Sequence, residues 1–114
     1  MPLADAHSAE ASDYTDFAHP VAQSVAQRRV EFGVLICTTG LGMSIAANKV
    51  PGVRAALVAD QATAEMARRH NNANVLSMGQ RMLAIEEVLE IVDLWLVTPF
   101  DGGRHQQRID MIDK

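Results

Sequence analysis

A single cysteine, Cys37, ends the apolar run Val34-Leu35-Ile36 and opens the stretch Thr38-Thr39-Gly40-Leu41-Gly42-Met43-Ser44. That order predicts a buried strand, a tight glycine-bearing turn and the start of a small-residue helix. Such a turn aims backbone N–H groups above the strand end, where the helix dipole favours negative charge. The same dipole favours thiolate over thiol in a neighbouring cysteine. One turn can thus supply a nucleophile or base together with an anion hole. An inert buried thiol is the ordinary alternative for a lone cysteine. Its place at the carboxyl end of a strand, where open α/β sheets bind ligands, favours function.

Other chemistry-bearing residues lie elsewhere. His70-Asn71 falls in a turn between a helix and a strand, at the end of the sheet opposite the strand carboxyl termini. There it is either a solvated surface pair or a contribution to a neighbouring subunit. Arg104 and Arg108 share one helical face, suited to bidentate phosphate contact or simply to solvent. His7, His19 and His105 show no ligand spacing with the cysteine, so no metal site is expected. A phosphate loop ending in Gly-Lys-Ser/Thr is absent, and Met43 stands where a Cys-x5-Arg phosphatase loop needs arginine. Gly40 and Gly42 with Asp60 downstream resemble a dinucleotide fingerprint, but Ile45 takes the place of its third glycine.

The elements that must position these residues follow from periodicity. Residues 1–12 mix Ala, Ser, Asp and Glu without a period and are expected to form a loose leader before a single domain over 13–114. Asp13 is expected to cap a first turn. Tyr14, Phe17, Ala18, Val21, Ala22 and Val25 make one apolar stripe, which Pro20 interrupts. The expected main helix therefore starts at Pro20 and runs to Arg29, with a short turn before it. Strands are expected at Phe32 to Cys37, Arg54 to Val58 and Asn74 to Met78. Helices are expected at Gly42 to Lys49, at Gln61 to about His70 after an Asp60 cap, along the stripe Ile85, Val88, Leu89, Val92, Trp95, Leu96, and at Arg104 to Ile112. Short apolar strands alternating with helices imply an α/β fold, a parallel sheet of three strands covered on both faces.

The 114 residues, 48% hydrophobic and 21% charged, suit one small globular domain. A formal charge of −4 argues against a general nucleic-acid or anionic-membrane binder. One cysteine excludes an internal disulfide framework and suits a reducing compartment. No apolar run reaches the roughly 18 residues of a membrane span, so the cytoplasm is expected.

Several blocks together resemble the ribose-5-phosphate isomerase B family, which includes the galactose-6-phosphate isomerase subunits. They are Cys37 to Lys49 with Pro51 to Ala56, His70 to Leu76, Gly79-Gln80-Arg81, Gly102 to Arg108, and Asp13 to Ala18 with Thr15 where proline is usual. The resemblance implies a Rossmann-like three-layer αβα fold, with five strands in its complete form. It implies an aldose–ketose isomerisation of a phosphorylated sugar, ribose 5-phosphate to ribulose 5-phosphate, through a cis-enediolate. In that scheme Cys37 is the base, Thr39 shuttles protons between oxygens, and His70 assists ring opening. Thr38, Gly40, Leu41, Gly42 and Met43 line the enediolate oxygen, while Tyr14, Asn71 and Arg81 support substrate binding. Arg104 and Arg108 grip the phosphate, and no metal or organic cofactor takes part. The resemblance also implies a homodimer with sites shared across the interface, or completion by a homologous subunit, with no nucleic-acid or membrane partner.

Two departures stand out. Thr38 replaces a common glycine, and the family's first strand-helix-strand segment, with its Asp-His pair, has no counterpart ahead of Asp13. The strand Phe32 to Cys37 is accordingly expected to present an exposed apolar edge. A non-catalytic phosphosugar-binding or partner subunit is the alternative, and a dinucleotide-binding fragment a lesser one.

Overall fold

The computed structural model describes residues 3–5, 15–81 and 83–114. In chain order they form β1 (Leu3–Asp5), α1 (Thr15–Ala26), β2 (Gly33–Cys37), α2 (Leu41–Asn48), β3 (Ala55–Leu57), α3 (Gln61–Arg69), β4 (Val75–Gly79), α4 (Ile85–Val97) and α5 (Arg104–Ile112). The strands make one parallel sheet in the order β1-β2-β4-β3. Alternation along the central strands divides the core in two. Leu35 and Val75 face α1 and α2, packing with Ala18, Ala22, Met43 and Ala47. Val34, Ile36, Leu76 and Met78 face α3 and α4, packing with Ala64, Ala67, Val88, Ile91 and Trp95. The expected α/β architecture, a parallel sheet between two helical layers, is what the chain forms.

Three local expectations need correction. Leu3–Asp5 lies inside the expected leader yet pairs in parallel with Val34–Ile36, making a fourth strand. It occupies the side of β2 expected to stand open, because the unpaired N–H and C=O groups of an apolar edge invite a partner. Pro20 does not begin α1 but sits inside it. Its ring is exposed, and the unbroken stripe Ala18, Val21, Ala22, Val25 is buried, so packing outweighs the missing hydrogen bond. The helix also stops short of Arg29, because Arg28 turns left-handed at φ 59° and Arg29 N–H reaches back to Ser24 O at 3.0 Å. The proposed cap at Asp13 and the stripe residue Tyr14 lie outside the described residues.

Candidate active site

The β2–α2 turn is held by contacts the sequence only partly announces. Gly40, the N-cap of α2, has φ 82°, and a Cβ there would sit 2.9 Å from the backbone carbon of Met78. Only glycine meets both demands. Gly79 on β4 is equally constrained, since a Cβ would lie 2.6 Å from the Thr39 carbonyl. Buried Ser77 donates its hydroxyl to Gly40 O at 2.7 Å, while the N–H groups of Gln80 and Arg81 donate to Cys37 O and Thr38 O at 2.8 and 3.1 Å. The end of β4 thus fixes the turn from below.

Above it, the Gly40 N–H donates to Cys37 Sγ at 3.1 Å. Cys37 is half-buried, Thr38 and Thr39 are exposed, and Thr39 Oγ1 accepts from Leu41 N–H at 3.3 Å. Thr38 is absent from the left-handed residues, so its β-branched side chain is unstrained. Gly40 offers no side-chain cap, which leaves the first-turn N–H groups of Gly42 and Met43 pointing out of the helix start. A cleft of about 410 Å³, lined by Thr39, Leu41, Leu57, Asp60 and Gly79 among others, opens beside the turn. Asp60, the acid that a dinucleotide site would need, instead accepts from Thr63 N–H at 2.7 Å as the cap of α3. That hydrogen bond holds its carboxyl below the usual aspartate range. Exposed Arg81 belongs to this end of the sheet.

His70, Asn71, Arg104 and Arg108 gather at the other end. His70 closes α3 ahead of β4, whose first residue Val75 pairs with Gly33, whereas Cys37 pairs with Gly79 at the far end. About 13 Å of strand therefore separates the two groups within one chain. The His70 ring stacks on His105, with centroids 4.2 Å apart and planes inclined by 11°. His105 is buried. Burial first, then the charges of His70, Arg104 and Arg108, push its imidazole below the usual histidine range, with Asp101 opposing. Sequence spacing gave no hint of this pairing, because a contact between distant segments leaves no local period.

Donor atoms of His70, Asp101 and His105 lie within 4.8 Å of one another, a set that could hold a metal ion. The stack argues against it. Ring nitrogen lone pairs lie in the ring planes, and two nearly parallel planes share no nearby point where one ion could sit. Arg104 and Arg108 add positive charge around His105, against which Asp101 acts.

A family model described as Ribose/Galactose Isomerase matches residues 3–112. The chain belongs to that family. Ribose-5-phosphate isomerase B of Escherichia coli (strain K12) is 47% identical over 105 residues, 92% of this chain and 70% of that protein. The solved Trypanosoma cruzi type B ribose 5-phosphate isomerase superposes with TM-score 0.90 at 54% identity, covering 93% of this chain and 70% of that one. A Mycoplasma genitalium ribose-5-phosphate isomerase B, solved with bound ribulose-5-phosphate, has TM-score 0.88 and 50% identity over 91% of this chain and 69% of that one. The chain thus spans about 70% of the length of these ribose/galactose isomerases. Among the described residues, no helix is long and apolar enough to cross a membrane.

Proposed function

We propose that the chain is a sugar-phosphate aldose–ketose isomerase, converting ribose 5-phosphate to ribulose 5-phosphate, with its site assembled from two copies. The observation that carries this is the β2–α2 turn, where one sulfur stands beside uncapped helix N–H groups. In this scheme Cys37 removes the C2 proton of the open-chain aldose. The C1 carbonyl oxygen takes the electron pair as a cis-enediolate, and the N–H groups of Gly42 and Met43 receive its charge. The Thr39 hydroxyl carries a proton between O1 and O2, and the sulfur returns its proton to C1. The hydrogen moves within one molecule, so the step balances without an oxidant or reductant.

His70 assists ring opening from the partner copy, with Asn71 beside it, and Arg104 and Arg108 hold the phosphate. In this reading the chain works as a homodimer, and distance supports it, because Cys37 and His70 lie at opposite ends of one sheet. Arg81 and Tyr14 support substrate binding in the same reading. The unpaired thiol and the phosphorylated substrate suit the cytoplasm.

A coupled assay for ribulose 5-phosphate tests the reading. Cys37→Ala is expected to lower kcat by about 10³-fold or more while the far-ultraviolet spectrum is retained. Retained turnover would refute the base assignment. A wild-type chain that binds ribose 5-phosphate without turnover would instead indicate a binding subunit.

A further inference from the structure

The stack of His70 on His105 is not self-supporting. The connection from α4 to α5 passes through Gly102 and Gly103, both left-handed at φ 70° and 57°, and Gly103 caps α5 without a side chain. A Cβ at either glycine would meet nothing, so among the described residues no neighbour packs against that side of the corner. Two points of contact with the end of α3 hold it. The Asp101 N–H donates to Arg69 O at 3.0 Å, and Arg69 Nη1 meets Asp101 Oδ1 at 3.2 Å. Glu65, one turn earlier, steadies the guanidinium through Arg69 Nε at 3.0 Å.

Arg69 immediately precedes His70, and Asp101 comes just before the corner that starts Arg104 and His105. The neighbouring Arg68 anchors the entry to the same connection. Its buried guanidinium donates to Ala73 O at 2.7 Å, to Asn72 Oδ1 at 2.9 Å and to Thr98 O at 3.4 Å.

We propose that Arg69 and Asp101 are positioning residues that set Arg104 and His105 against His70, and so set the grip on the substrate's phosphate. Its phosphate clause rests on the isomerase reading above. The pair is half-exposed on both sides, and such ion pairs contribute little to global stability. A structural role would therefore show as lost stability, and a positioning role as lost binding with stability kept.

The test uses Arg69→Gln and Asp101→Asn in the full chain, with inorganic phosphate as the probe. KM for ribose 5-phosphate and the inhibition constant of phosphate are expected to rise together by about tenfold, because small misplacements of a binding group are costly. Tm is expected to shift by no more than about 3 °C. The double variant should be no worse than either single one. The charge-reversed pair Arg69→Asp with Asp101→Arg should recover part of the affinity. The imidazole resonances of His70 and His105 in the unliganded chain read the stack directly, and their ring-current shifts should diminish in both single variants. Unchanged phosphate affinity together with unchanged ring shifts would overturn the proposal. Ring shifts lost in the variants, in a wild-type chain that neither binds phosphate nor turns over ribose 5-phosphate, would support the positioning role and sink the isomerase reading.

Discussion

Cys37 and Gly40 show which residues a sequence can disclose. The strand-to-turn order around Cys37 is local, so the sulfur and the helix start could be expected together, and the Gly40 N–H does reach the sulfur at 3.1 Å. Gly79 is different, because its constraint comes from Thr39 on another strand's turn. Gly79→Ala is expected to destabilise by about 1–3 kcal/mol, since a Cβ would meet backbone that has no room to move. Gly52→Ala, at φ 89° with open space around it, should cost only the left-handed penalty of about 1–2 kcal/mol. Urea denaturation of the two variants checks both, and a Gly79→Ala loss near zero with unchanged activity would show that the turn yields to the extra methyl.

His105 carries a second residue-scale consequence. Its folded pKa is lowered, first by burial and then by His70, Arg104 and Arg108. The unfolded chain therefore binds the extra proton more readily, and stability falls as pH drops below the ordinary histidine value of 6.5 toward the folded one. Tm measured from pH 7.5 to 5 should decline through that window in the wild type. The decline should flatten in His105→Gln; an identical slope would locate the titration elsewhere.

At the scale of elements, α5 runs Arg104–Ile112 as its sequence suggests, and Asp60 caps α3 through Thr63. These signals are confined to a few neighbouring residues. Leu3–Asp5 failed to show itself because three residues cannot display a period, and its place is decided by the open side of β2. Pro20 misled for the opposite reason: its local preference is strong, yet the buried stripe on α1 prevails. That conflict is measurable. Pro20→Ala should restore the hydrogen bond to the carbonyl one turn back and raise stability by about 1 kcal/mol or more. The gain falls below the full helix penalty because proline also stiffens the unfolded chain. Chemical denaturation checks it, and a loss of stability would mean that the ring itself packs usefully.

The whole molecule poses a question that no single element answers. Its two candidate half-sites lie at opposite ends of one parallel sheet, with the sulfur at the carboxyl end and the stacked histidines at the amino end. Exposed apolar residues Leu41 and Ile45 on α2 and Leu57 on β3 lie beside the sulfur's turn, a surface suited to contact with a second copy. If each site combines one copy's turn with its partner's histidine end, Cys37→Ala and His70→Ala must complement each other. In a two-fold pair formed from one of each, both defects fall in the same site and the other site is intact. Either variant alone should be nearly inactive. Mixing them, with unfolding and re-association, should restore about a quarter of wild-type turnover: half of the pairs are mixed, and half of their sites are whole. No recovery, from chains shown by size to have exchanged partners, would mean that the two ends never meet.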